Sequence, residues 1–411
     1  MQSANVSLHV KHSERKSKSI QVAYRKFRAT QLFDGYRFRE NLVLVTEVSG
    51  KIIDLVHEDD AGDDVEYLEG ILTPGFINAH CHLELSHLKG VIPPHTGLIE
   101  FLCSVVTKRD FPREIIDQAI QDAEQEMYQN GIVAVGDIGN TADTASVKTK
   151  SRIRWQNFVE VLSMTDDRAN QEIAHYTSVA QQLSQSLQFS DIRHRTSLVP
   201  HAPYTISPST FRQLNDLTEG QVISMHNQEH PAEDVLYQTG GGDYLKLFNV
   251  FGLHDSPFPV TGKSSIRSVL PYFNKGQQIF LVHNTFMPKE DIAWANEYAS
   301  KNNMSLVYCL CPSANSYIEN KLPDVRLFQS LDCHLVLGTD SYSSNWQLSI
   351  AEEIRLLNHQ LKISIEDLLR MATLNGARAL RWDDTFGSFE KDKMPGLVLL
   401  SDDLRLAKRI L

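Results

Sequence analysis

Residues 73–84 read Thr-Pro-Gly-Phe-Ile-Asn-Ala-His80-Cys81-His82-Leu-Glu84, an apolar run that ends in two histidines one residue apart. On an extended chain alternate side chains share a face, so His80 and His82 converge while Cys81 points away. Two imidazoles at the mouth of a strand make half of a metal site. Four later strand-length runs end in comparable residues: Pro200-His201-Ala-Pro-Tyr204, Met225-His226-Asn-Gln-Glu229, Val282-His283-Asn284 and Gly338-Thr339-Asp340. Of sixteen histidines, five fall at such ends, whereas His9, His57, His175 and His359 fall in helices, tails or loops and read as solvated.

These residues need a scaffold that brings distant strand ends together. After Pro74, apolar runs recur at Ile132–Val135, Ser197–Val199, Val222–Met225, Ile279–Val282, Ser305–Tyr308 and Leu335–Leu337. Helical segments lie between several of them. Ile116, Ile120, Ala123 and Met127 share one helical face, Pro112 sits near its start, and Asn130-Gly131 makes a stop. Ser364-Ile-Glu-Asp367 opens another helix with a capping pattern. Strands alternating with helices imply an α/β architecture with a parallel sheet, and about eight such units imply a closed TIM-type (β/α)₈ barrel over 73–386. In such barrels chemistry sits at the carboxyl ends of the strands.

From Ile20 to Leu72 the pattern is strand-like, with Asp34-Gly35 and Ser49-Gly50 as turns, and Gly387 to Leu411 is strand-like again. The two chain ends are therefore expected to pair into one small β-sandwich, 20–72 plus 387–411. Residues 84–110 and 227–276 are too long for simple connections and are expected to be covers or binding loops.

The net charge of −11 argues against a nucleic-acid or anionic-membrane partner. The first 28 residues run the other way, with seven Lys/Arg against Glu14. They lack the apolar core of a signal peptide, so 1–19 is expected to be a poorly ordered or loosely attached basic N-terminus. No apolar run approaches the ~20 residues of a membrane helix. Five irregularly placed cysteines point to a reducing cytoplasm.

The order His-x-His, His-Ala-Pro-Tyr, His-x-x-Glu, lone His, Gly-Thr-Asp resembles the amidohydrolase superfamily. It is most similar to the mononuclear aminohydrolase branch of cytosine, guanine and adenosylhomocysteine-type deaminases. Phe33-Asp-Gly35 and Ser49-Gly-Lys-Ile52 resemble that family's β-sandwich, and Ala372-Thr-Leu-Asn-Gly-Ala377 with Gly387-Ser-Phe-Glu resemble its last barrel helix and return. The resemblance implies one divalent cation, Zn²⁺ foremost with Fe²⁺ as the alternative, held by His80, His82, His226 and Asp340. Such a cation lowers the pKa of a bound water towards ~7. Hydroxide would attack a ring carbon while Glu229 protonates the adjacent ring nitrogen. His283 and Asp340 would accept and relay the water's proton, and ammonia would leave.

Two-metal relatives carry a carboxylated lysine where this chain has Val199-Pro-His201, which favours a single metal. His201 and Tyr204 would be substrate contacts, with a structural role for Tyr204 equally open. Glu84 and Trp346 lie just past strand ends and could read a ligand, although Glu84 could equally brace the first loop. The Leu-Glu-Leu-Ser run resembles aminofutalosine deaminases over a few residues. Cys309-Leu-Cys311-Pro312 lacks the spacing of the Pro-Cys-x-x-Cys deaminase fold and reads as packing.

The expected substrate is a small aminated purine-like heterocycle. Chlorohydrolysis or ring-opening amide hydrolysis would use the same site, and a non-catalytic amidohydrolase-fold protein is the reading of another class. Neither nucleic acid nor membrane is expected as a partner, and a homodimer is left as an option.

Overall fold

The computed structural model describes residues 23–411, so the expected basic terminus 1–19 lies outside the described residues. Eight parallel strands alternate with helices in two four-stranded sheets. The first sheet is Phe76–Cys81, Ile132–Gly139, Arg154–Val161 and Arg195–Pro200, in that order. The second is Val222–Asn227, Gln278–His283, Ser305–Leu310 and Leu335–Leu337. At one seam the Thr339 and Asp340 amides both donate to the His80 carbonyl at 3.0 Å. There Asn78 also exchanges hydrogen bonds with Thr339, Nδ2 to Oγ1 at 2.8 Å and Thr339 N to Oδ1 at 3.0 Å. At the other seam the His226 amide donates to the His201 carbonyl at 3.0 Å. Parallel sheets joined in this way fit a TIM-type architecture.

The helix signals hold. Arg113–Gln129 starts after Pro112, buries Ile120, Ala123 and Met127, and stops at Asn130. Gly131 then takes φ +81°, where a Cβ would lie 2.3 Å from Val398 Cγ2, so a side chain is excluded twice over. Ser364 caps Ile365–Arg370 by accepting from the Asp367 amide at 3.1 Å. The strand Arg154–Val161 is absent from the apolar runs, because Gln156, Asn157 and Glu160 break its pattern. Gln156 and Asn157 are nevertheless buried, satisfied by Ser197 Oγ at 3.1 Å and the Arg195 carbonyl at 3.0 Å.

The chain ends share one seven-stranded mixed sheet. Leu397–Leu400 runs antiparallel to Val65–Pro74 and carries Ala407–Arg409 on its other edge. Phe27, Leu32, Leu44, Ile52, Leu72, Phe389 and Leu397 form a buried cluster of their own beside it. Only Gly75 separates Val65–Pro74 from the first barrel strand, and a Cβ there would meet Val133 Cγ1 at 2.3 Å. Deleting residues 387–411 removes two of these core side chains and bares the edge of Val65–Pro74. The truncated chain is expected to be insoluble or unfolded by circular dichroism; a soluble, cooperatively melting truncation would refute the shared sheet.

The two long segments are folded. Residues 84–110 contain a 3₁₀ turn, Leu83–Leu88, and the helix Leu98–Lys108. Residues 227–276 contain Ala232–Thr239, Tyr244–Val250 and Ser265–Val269. Phe101, Leu102 and Val105 from the first, and Leu247 and Phe251 from the second, line the cavity over the strand ends.

Candidate metal centre

His80 and His82 end the first barrel strand, His226 stands near the end of the fifth, His283 ends the sixth, and Asp340 follows the eighth. All five are buried. His82 Nε2 lies 3.3 Å from His226 Nε2. Asp340 Oδ1 lies 3.4 Å from Nε2 of both His80 and His82. The ligand-type atoms of His80, His82 and His226 fall within 4.8 Å of one another, as do those of His80, His283 and Asp340.

Five features fit a cation at this point. His226 Nδ1 donates to the His201 carbonyl at 2.7 Å, which leaves the Nε2 lone pair aimed at His82. Both ring nitrogens of His80 and Nδ1 of His82 are buried without a hydrogen-bond partner. Each such atom costs ~1–3 kcal/mol while unpartnered, and a cation would take the one lone pair that each neutral ring offers. Burial, reinforced by the His226 imidazole, holds His80 well below its ordinary pKa, and burial does the same for His82, so both are neutral, the form that binds metal. Burial pushes the Asp340 carboxyl up, but His82, His283 and the Ser344 hydroxyl outweigh it and leave Asp340 below the usual range. The donor set, three imidazoles and a carboxylate, suits Zn²⁺ or Fe²⁺.

His283 and Asp340 take φ +72° and +58°, left-handed backbone that strains residues other than glycine. Such strain costs ~1–3 kcal/mol per residue and is held only where the surroundings over-determine it. For Asp340 the His80 carbonyl does so, and Asn284, next to His283, donates to the Asn227 carbonyl at 3.0 Å.

Glu229 stands beside the cluster, its Oε2 3.6 Å from His283 Nε2. Burial pushes its carboxyl well above the ordinary range, and Asp340 and Glu233 add to this. That shift favours the protonated form, the one able to donate. The Asn315 side-chain amide, 3.1 Å from His283 Nδ1, orients that ring. His201 contacts Thr205 Oγ1 through Nδ1 at 2.9 Å and, like Tyr204, lines the cavity.

The remaining expected residues divide. Glu84 lines the cavity, but its Oε2 accepts from the Asn140 amide at 3.1 Å, the Thr141 amide at 3.1 Å and Thr141 Oγ1 at 2.8 Å. Its geometry is that of a brace for the loop after the second barrel strand. Trp346 stands apart: it is 53 % exposed, its ring packs against Tyr317, and it does not line the cavity. Cys309 and Cys311 are buried and belong to none of the ligand-type groups among the described residues.

Two residues are absent from the expected set. Glu160, at the end of the unexpected strand Arg154–Val161, lines the cavity, and burial with the nearby Glu84 carboxylate raises it to about 8. Asp137, in the second barrel strand, accepts from the Leu83 amide at 2.8 Å and pairs with buried Lys148, fixing the backbone just past His82. Asp137 follows the run Ile132–Val135 as closely as Asp340 follows Leu335–Leu337, so the same strand-end signal was there to find it.

The family model described as the amidohydrolase family matches residues 71–409. The chain is 25 % identical over 342 residues to an aminodeoxyfutalosine deaminase of a Nitratiruptor species, covering 81 % of this chain and 80 % of that protein. The fold is similar to that of Helicobacter pylori aminofutalosine deaminase in complex with methylthio-coformycin, with TM-score 0.75 and 19 % identity, covering 94 % of this chain and 97 % of that one. It is also similar to that of atrazine chlorohydrolase from Arthrobacter aurescens complexed with zinc, with TM-score 0.70 and 17 % identity, covering 91 % and 86 %.

Proposed function

We propose, because the chain belongs to the amidohydrolase family and its strand ends bring His80, His82, His226, His283 and Asp340 together, that it is a metal-dependent hydrolytic deaminase of an aminated purine-like heterocycle. The scaffold in this reading is a closed (β/α)₈ barrel over 73–386, with 20–72 and 387–411 as one end domain. His80, His82, His226 and Asp340 would hold one divalent cation, whose chemistry is to activate water at neutral pH.

The observation that carries the reading is Glu229, a buried carboxyl that lies 3.6 Å from His283 beside the candidate ligands and whose pKa burial raises. It would donate its proton to the ring nitrogen next to the reacting carbon, making that carbon electrophilic. His283 and Asp340 would take the proton released as water adds its oxygen to that carbon. The carbon–nitrogen bond to the amine then breaks, the amine leaves as ammonia with the relayed proton, and the proton on the added oxygen passes to the Glu229 carboxylate, leaving a ring carbonyl. The apolar side chains of Phe101, Leu102, Val105 and Leu247 would exclude bulk water and stack against a flat ring. His201 and Tyr204 would position that ring.

Similarity to an aminodeoxyfutalosine deaminase supports an adenine-type amine, and zinc in a neighbour of the same fold supports zinc as the cation. Zinc-loaded protein is expected to release ammonia from at least one adenine-, guanine- or cytosine-type amine, with an ultraviolet shift. Opening of hydantoins or lactams, or dechlorination of triazines, with no ammonia from any amine would overturn the reading.

A further inference from the structure

We propose that Glu160 is a substrate-binding residue that grips a hydrogen-bonding atom on the edge of the heterocycle, next to the cation site; the inference rests on the heterocycle reading above. Its Oε1 accepts from Asn140 Nδ2 at 3.2 Å, while Oε2 is buried and has no partner. His201 Nε2 lies 3.9 Å from Oε2, beyond hydrogen-bond reach. Glu233 also keeps a bare oxygen, Oε2, but it does not line the cavity, and the other buried carboxyls nearby are engaged. Glu84 is bound through both oxygens, and Glu353 accepts from the Ser313 amide at 2.8 Å and Asn345 Nδ2 at 3.2 Å.

A buried carboxyl oxygen left bare is destabilising, a cost the fold does not recover. A ligand in the same cavity would recover it. An atom seated in the gap between Glu160 Oε2 and His201 Nε2 could bond to both.

Position narrows what that ligand atom belongs to. Glu160, His201 and His226 bring their ligand-type atoms within 4.8 Å of one another, and His226 is part of the cation cluster. A group held there lies close to the reacting carbon, so it belongs to the ring and not to a distant substituent. A second metal at this trio is disfavoured. His226 Nδ1 is committed to the His201 carbonyl and Nε2 faces His82, which leaves only Glu160 and His201 free.

The test measures equilibrium binding by calorimetry in a Glu229→Gln background, where turnover is suppressed. The probes are adenosine, 3-deazaadenosine, 7-deazaadenosine, 2-aminoadenosine and guanosine. Adding Glu160→Leu should weaken the best ligand by about tenfold or more, with metal content unchanged, and Glu160→Gln should recover part of the loss. One ring-edge change should stop mattering once the carboxyl is gone, a coupling that a merely structural role would not produce. Coupling to a deaza substitution identifies an acceptor atom on the ligand, and coupling to the 2-amino group identifies a donor.

Equal losses for every probe, no loss for any, loss of metal from both variants, or no binding at all would overturn the proposal. Ammonia release by the wild-type protein judges the deaminase reading separately. Glu160-dependent binding without ammonia would sink that reading and leave this site standing.

Discussion

Glu229→Gln is expected to keep its metal and to lose about 10²–10⁴-fold in kcat, the usual worth of a positioned acid–base group. The substitution is nearly isosteric and leaves His80, His82, His226 and Asp340 untouched. It replaces a carboxyl whose pKa burial raises with an amide that cannot surrender a proton to a ring nitrogen. Because Glu229 sits 3.6 Å from His283 and outside the ligand-type groups, the metal content should stay at the wild-type value. The decisive pairing is metal analysis with steady-state kinetics on one preparation. Near-normal turnover in a metal-replete variant would remove the proton-donor role, and loss of metal would instead make Glu229 part of the cation site.

Removal of the cation should have a still larger effect. Chelation is expected to abolish activity, and stoichiometric zinc should restore it with one ion per chain. His226→Ala and Asp340→Asn should each bind that ion far more weakly, since each strips one donor from a four-ligand set. Asp340→Asn should also destabilise the fold less than His226→Ala does. The amide can still accept from the Ser344 hydroxyl, whereas truncating His226 removes its 2.7 Å bond to the His201 carbonyl at the seam between the two parallel sheets. Anomalous scattering at the zinc edge locates the ion. Two ions per chain, or an ion at Cys309 and Cys311, would overturn the assignment.

Much of the site was legible because it is written in local periodicity. Alternation along a strand puts His80 and His82 on one face whatever else the chain does, and an apolar run that ends in a polar residue marks a strand end. That rule was enough to single out His201, His226, His283 and Asp340, which the structure gathers around one cavity. It also reaches Asp137, but it failed for Glu160. Arg154–Val161 carries Gln156 and Asn157 among its buried residues, so its period is blurred, and only the facing strand's Ser197 and Arg195 carbonyl explain why those amides are tolerated there. Trp346 shows the opposite error: its place after a strand end suggested a ligand contact, yet the chain turns it towards Tyr317 and solvent.

By itself, then, the sequence determined which residue types stand at strand ends and in what order, because burial pattern and strand period are properties of a few neighbouring residues. The tertiary structure alone decided which of those ends share a point in space, which carboxyls are spent on holding loops, as Glu84 is, and which, like Glu160 Oε2, are left bare towards the cavity. Those outcomes depend on partners far away along the chain, and no local pattern encodes the distance between them.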